Sequence, residues 1–293
     1  MKSSVAEIPQ ATGDPEAFAF VQALAAELSK GKVDLPSFPD IALRVRKVLA
    51  DEEVSQEKVV RVVGSEPALA ARLMQIANSA AINFTGKPIS ELRTAIARMG
   101  FNMVRSAAIA FAMSQLKKVD LLKGLEQPLD ALWHDSAGVA AMSHAVARRF
   151  SHVNPDTAML AGLLHGIGKL YILTRSSRHP ALFANQAAYS AIVRDWHAPV
   201  AKALLENWEM AEEIITAVSE YEDFGREHEG PPDLTDVLTV GHLLTAFKEH
   251  PDTLELNMHD VAACRRMKID RGSYEKLIDE SGELRCAGEW SCR

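Results

Sequence analysis

Helical periodicity runs through this chain almost from end to end, and that restricts it to an all-α fold. Residues 40–50 place Ile41, Val45, Val48 and Leu49 on one face and Arg44, Arg46 and Lys47 on the other. Start and stop signals bound the periods. Asp14-Pro15-Glu16 offers an N-cap acceptor and then a proline at the first helical position, and Gly31 closes that helix. Ser55 caps a helix that Gly64 ends, and Pro67 starts another with Leu69, Leu73, Ile76 and Ala77 on one side. Ser90 caps Glu91–Met99, Gly100 stops it, and residues 102–116 are apolar on most sides, as in a buried helix.

The segment Val119–Pro128 carries Gly124 and Pro128 and has no strong period, so it reads as a boundary between halves. Beyond it, helices are expected over 129–150 and 156–165, then near 180–195, 198–207, 210–222, 233–249, 259–267 and 272–281. No hairpin signal occurs. The one β-flavoured run, Leu170–Thr174, is short, and no repeat of fixed period is visible.

Composition narrows the class further. The chain of 293 residues is 47% hydrophobic and 24% charged, enough apolar material for a sizeable core. With 16 glycines and 13 prolines it is neither collagen-like nor low-complexity. No apolar run is expected to reach the roughly 18 residues of a membrane span. The first fifteen residues hold no hydrophobic core, so no secretory signal is expected. Cys264, Cys286 and Cys292 form an odd, late, sparse set that is no disulfide framework, and without paired histidines no zinc finger. A reduced cytoplasmic setting with no membrane association is the expectation.

Acids exceed bases by 39 to 32, which disfavours a basic nucleic-acid binder. The charge is uneven. Residues 209–237 hold ten acids against one base, Arg226, while residues 31–120 hold thirteen bases and nine acids. The acidic segment is either a set of solvated helix faces or a docking site for a basic partner or for the chain's own N-terminal half.

The strongest local feature is Ala161–Leu170, in which His165 ends an apolar helix and is followed by Gly166 and Gly168. The glycines permit a tight turn and close backbone approach. Taken alone, His165 reads as a satisfied core histidine at a helix C-terminus. Trp133, Trp196 and Trp208 sit at helical core positions, and His134, His144, His152 and His179 read individually as fillers. Asn78 and Ser79 end a helix, where asparagine tolerates the left-handed conformation and both side chains can serve a turn.

Taken together, these segments resemble the HDOD domain, a bacterial signalling module related to the HD and HD-GYP phosphohydrolases. The resemblance covers about Leu35 to Phe224. It rests on Leu35–Pro39, Glu66–Ala80 with Asn78 and Ser79, Ile89–Gly100, Leu132–Ser136, Gly162–His165 and His197–Trp208, in matching order and spacing. It implies two packed helical lobes, an N-terminal bundle followed by a degenerate HD-like lobe. The boundaries it suggests are an added helix in 1–30, which covers a groove or mediates dimerisation, lobes at 31–118 and 119–250, and a C-terminal extension and tail at 251–293.

An active HD enzyme holds divalent metals with a first histidine, a His-Asp pair and a later aspartate. By the resemblance, the first histidine's position is Asp135, preceded by His134. The pair is His165 with Gly166, which has no ligand atom. The later aspartate falls where Gly241-His242 stands. His197 matches a histidine of the related pattern, the family's paired histidines fall at Glu220-Tyr221, and Gly-Tyr-Pro is absent. His134, Asp135, His165, Gly166, His197 and His242 are therefore read as a vestigial pocket, with no catalytic residue, metal or cofactor.

The function implied is a non-catalytic regulatory module that meets an unidentified signalling protein, in cyclic di-GMP or two-component pathways. A homodimer is one arrangement open to it, and output passes through another chain because no receiver or kinase domain fits the remaining length. The alternative is a metal-dependent phosphohydrolase or phosphodiesterase in which Asp135, His165, His197 and His242 converge to roughly 2.0–2.2 Å from a zinc ion. A nucleic-acid adaptor using the basic N-terminal faces is the third reading and the one composition least favours.

Overall fold

The computed structural model of the chain describes residues 15–30, 40–49, 51, 53–79, 82–83, 86–116, 124–247, 260–270, 272–274, 276–277 and 281. The lead-in Leu35–Pro39, Gly31, residues 119–123 of the expected break, and Cys286 and Cys292 lie outside them. Among the described residues every regular element is a helix. They are α1 (Pro15–Ser29), α2 (Asp40–Leu49), α3 (Gln56–Gly64), α4 (Pro67–Asn78), α5 (Leu92–Leu116), α6 (Glu126–Phe150) and α7 (Pro155–Leu164). Then come α8 (Ile167–Ser176), α9 (Pro180–Ala184), α10 (Gln186–Asn207), α11 (Glu212–Glu220), α12 (Leu234–Ala246) and α13 (Ala262–Met267).

Local chemistry accounts for most of the boundaries. The Ser55 hydroxyl accepts from Lys58 N, and the Asn154 side chain accepts from Asp156 N and Thr157 N. Asp233 and Asp236 form a reciprocal capping box at the start of α12. Gly100, with φ 74° and ψ 162°, stops the first helix as expected, and a second begins directly after it, so α5 is two helices meeting at a kink.

Three expectations need correction. The helices expected near 180–195 and 198–207 are instead the short α9 and an α10 that runs through Pro199, unbroken from Gln186 to Asn207. The proline removes one backbone donor, but Val200, Ala201, Leu204 and Leu205 beyond it are fully buried, and that packing outweighs the lost bond. The β-flavoured Leu170–Thr174 lies inside α8, because periodicity over so short an apolar run cannot separate a strand from a buried helix. Pro155–Ser176 is long and apolar enough to cross a membrane, contrary to expectation, but it is 89% buried inside the fold and is divided at His165-Gly166.

Two apolar cores result. Helices α2–α5 enclose one, around Val59, Val63, Leu69, Leu73, Ile96 and Val104. Helices α6–α13 enclose the other, and α1 joins this second core through Ala17, Phe20, Val21 and Leu24. The lobes share a seam: Ala140, Met159 and Leu163 pack into the first core and Ile109 of α5 into the second. Trp208 is buried, while Trp133 and Trp196 are half-buried against the core.

Two glycines set the distance between helices at the centre of the second core. A Cβ on Gly162 would lie 2.5 Å from the Cα of Ala140 in α6. A Cβ on Gly168 would lie 1.9 Å from the backbone oxygen of His197 in α10, so α8 touches α10 backbone to backbone. Gly168→Ala is expected to destabilise the protein by about 3 kcal/mol in urea unfolding, because backbone cannot yield as a flexible side chain can. Gly225→Ala serves as the control. Its nearest neighbour is the Asp223 Oδ1 atom at 3.7 Å, and a change within about 0.5 kcal/mol is expected.

Candidate functional site

The site is assembled where α7 gives way to α8. His165 is the C-cap of α7, and Gly166 is the N-cap of α8. The imidazole of His165 is fully buried. Its Nδ1 lies 2.7 Å from the Gly162 carbonyl oxygen, and its Nε2 lies 3.2 Å from Oδ2 of Asp135 on α6. Both partners are acceptors, so both bonds form only when the ring carries both protons.

A second histidine–carboxylate pair lies on the opposite wall. His197 of α10, also buried, has Nε2 at 2.9 Å from Oε2 of Glu222, just beyond α11. The Tyr221 hydroxyl donates to the other oxygen of Glu222 at 2.8 Å, and Lys169 of α8 donates to that same oxygen at 3.4 Å. The Tyr221 ring is buried among three imidazoles, with centroids 5.0 Å from His242, 5.5 Å from His165 and 6.3 Å from His197. His242 of α12 stands 5.6 Å from His165, centroid to centroid.

Electrostatics follows from this layering. Burial alone would raise Glu222. The hydrogen bond and charge of His197, the Tyr221 hydroxyl and Lys169 outweigh it and hold the carboxyl well below the usual range. Asp135 behaves likewise: burial opposes the shift, and His165, His242 and Lys169 carry it downward. His242 is pushed down to about 4 by burial and by the charges of His165 and Lys169, so at neutral pH it is an uncharged ring. Burial and the neighbouring Glu222 push the Tyr221 phenol up.

The six residues assigned to the pocket are thus partly brought together. Asp135, His165, His197 and His242 surround Tyr221, and Gly166 lies at the junction. His134 lies exposed on α6. A Cβ on Gly166 would meet the Ser136 hydroxyl at 3.1 Å, and that buried hydroxyl has no hydrogen-bond partner. Asn78 and Ser79 belong to the other lobe. The Asn78 amide donates to the Met74 and Ile89 carbonyls and accepts from Ile89 N, and Ser79 donates to Ile76 O. Neither takes the left-handed conformation expected for such a turn, because Asn78 completes α4 and Ser79 is extended.

A metal does not fit these donors. Among the described residues, the only three imidazole or carboxylate ligand atoms within 4.8 Å of one another come from His228, Asp233 and Asp236. Those carboxylates are already held by Arg226 and Arg266, with Arg226 on Asp233 at 2.8 Å and Arg266 on Asp236 at 2.6 Å. Asp135, His165, His197 and His242 supply no such triple, and the Nδ1 atoms of His197 and His242 are buried without partners.

Sequence reasoning missed Glu222, Tyr221 and Lys169. The available signal was positional, since Tyr221 stands where the resemblance places a ligating histidine and Glu222 follows it. Part of the acidic segment is paired inside its own lobe, while Glu209, Glu212, Glu213, Asp223 and Glu229 are exposed. Glu220 and Asp233 pair with Arg226, Glu227 with Arg265 and Arg266, and Asp236 with His228 and Arg266.

An all-α chain of two lobes with a histidine pocket at the α7–α8 junction has an HD-like fold. Residues 35–224 match the HDOD domain, and the chain belongs to that family. A solved structure from Shewanella amazonensis SB2B, provisionally named a metal-dependent phosphohydrolase, is 25% identical with TM-score 0.75, and the match covers 93% of this chain and 99% of that one. An HDOD domain protein of unknown function from Geobacter sulfurreducens is 23% identical with TM-score 0.62, over 91% of this chain and 96% of that one. An uncharacterized protein of Treponema pallidum (strain Nichols) is 21% identical over 209 residues, 67% of this chain, and the match spans only 39% of that protein's length.

Two outcomes are expected. Both lowered carboxyls release their protons more readily in the native state than in the unfolded chain. The stability they contribute is therefore present above their ordinary values of 3.8 and 4.5, and is lost as pH falls below them toward the lowered values. Glu222→Gln should accordingly flatten the fall of the urea midpoint between about pH 5 and about pH 3. Asn78→Ala should cost about 2 kcal/mol by the same unfolding measurement, because it strips partners from the Ile89 backbone.

Proposed function

We propose that this HDOD chain is a non-catalytic signalling module that acts by binding a partner protein through the surface between its lobes, within cyclic di-GMP or phosphorelay signalling. One arrangement carries the reading: the centre of the histidine pocket is filled by the Tyr221 ring, and the Nε2 atoms of His165 and His197 are engaged by Asp135 and Glu222. Metal-dependent hydrolysis needs imidazoles turned toward an open centre where a metal-bound water can be activated. Here the position that would supply the pair's carboxylate is Gly166.

The buried Cys264, whose thiol burial pushes up to about 12, is a packing residue and suits a reduced cytoplasmic setting. The competing reading, a phosphohydrolase with atypical ligands, draws on the name of the Shewanella amazonensis relative. Elemental analysis of protein purified without a His tag, run beside a phosphodiesterase assay with Mn²⁺, Fe²⁺ or Ni²⁺, decides between them. The expected result is substoichiometric metal and no turnover. Stoichiometric metal and turnover, both abolished in His165→Ala, would overturn the non-catalytic reading.

A further inference from the structure

We propose that His228 is a proton-operated clasp: charged, it fastens residues 222–233 and α13 to the start of α12, and neutral, it lets them loosen. His228 is half-buried in the segment between α11 and α12. Ion pairs run from it in two directions. On one side Asp233, at 3.7 Å, is held by Arg226 at 2.8 Å, and Arg226 also takes Glu220 of α11 at 3.0 Å. On the other side Asp236, at 2.8 Å, is held by Arg266 of α13 at 2.6 Å. Arg266 and Arg265 then share Glu227, at 3.2 and 2.9 Å. Charge alternates in sign along this whole path, and His228 stands at its middle.

The geometry requires a charged ring. His228 Nδ1 lies 3.0 Å from the Glu229 carbonyl oxygen and Nε2 lies 2.8 Å from Oδ2 of Asp236. Both partners accept, so a neutral imidazole keeps only one of the two bonds. The Asp236 carboxylate is buried and also accepts from Arg266 and from the Asp233 N at 3.1 Å. When the proton leaves, that buried carboxylate loses one of its two cations. The path holds Glu220, Glu227, Asp233 and Asp236 against Arg226, Arg265 and Arg266, so its charges balance only with His228 protonated. Of these groups only the imidazole ordinarily titrates near neutrality. The Glu229 carboxylate beside it is exposed, and only its carbonyl takes part. The bonds to Asp236 and to the Glu229 carbonyl raise His228 above its ordinary value of 6.5. The clasp is therefore fully closed below 6.5 and opens as pH rises through the raised value. α13 is tied to the same segment by its Ala262 N, which donates to the Phe224 carbonyl at 2.9 Å, so loosening reaches both. The segment begins at Glu222, the partner of His197, and so runs directly from the mouth of the histidine pocket.

Amide hydrogen exchange of the full chain, read by mass spectrometry at about pH 6 and about pH 8.5 and corrected for the intrinsic rate at each, tests the clasp. Residues 222–233 and α13 are expected to lose about tenfold in protection at the higher pH, while α4 in the other lobe keeps its own. His228→Gln has no proton to lose in this range and is expected to show the lower protection at both. NMR titration of the His228 Cε1 proton is expected to place its midpoint above 6.5. Circular dichroism establishes that the variant folds, and the two measurements on the unmodified chain suffice if it does not. Unchanged protection of residues 222–233, an equal loss in α4, a pH step that survives in folded His228→Gln, or a midpoint at or below 6.5 would each overturn the proposal.

Discussion

The C-terminal lobe depends on how closely α7 and α8 approach their neighbours. Gly162 faces the Cα of Ala140, and Gly168 faces the backbone oxygen of His197. With no side chain at either contact, the helices meet at backbone distance and bury α7 and most of α8 on every side. Interiors packed to this density leave little room for adjustment. The junction between the two helices is therefore held in the core, and His165 with it, out of reach of water. A buried imidazole must satisfy its nitrogens from the protein, which fixes the Gly162 carbonyl on one side and Asp135 on the other.

From that constraint the pocket takes an order opposite to that of a metal centre. The imidazoles of His165 and His197 form the inner layer, the half-exposed carboxylates of Asp135 and Glu222 form the mouth, and the Tyr221 ring fills the middle. Charge is balanced pairwise, with Lys169 beside Glu222 and His242 kept neutral by burial. Among the described residues, the buried Ser136 hydroxyl and the Nδ1 atoms of His197 and His242 at this pocket have no hydrogen-bond partner. Unpaired polar atoms in a core cost stability. α1 lies on the same lobe, at the far end of α8 from Lys169, so one ten-residue helix spans both features.

Much of this was legible in the residues. Ser55 marks a helix start by its hydrogen-bonding side chain and Pro67 by its preset φ in the first turn, and the structure uses both so. The loss of the pair's carboxylate at Gly166 is visible in the letters alone. Other features were hidden. Pro199 carries a breaker signal that only the burial of Val200, Ala201, Leu204 and Leu205 overrides. Within the acidic run 209–237, the arginines that pair with Glu220, Glu227, Asp233 and Asp236 are Arg226, Arg265 and Arg266. Two of those three arginines lie some forty residues further along the chain, beyond the reach of any local pattern.

By itself the sequence determined an all-helical chain and its family, because caps, periodicity and motif spacing are properties of neighbouring residues. Only the tertiary structure decided that Tyr221 fills the pocket, that Glu222 partners His197 and that α1 docks on the second lobe. Those contacts join residues 25 positions apart for His197 and Glu222 and 148 apart for Glu27 and Arg175. Their geometry is set by how helices pack, which no local stretch of sequence encodes.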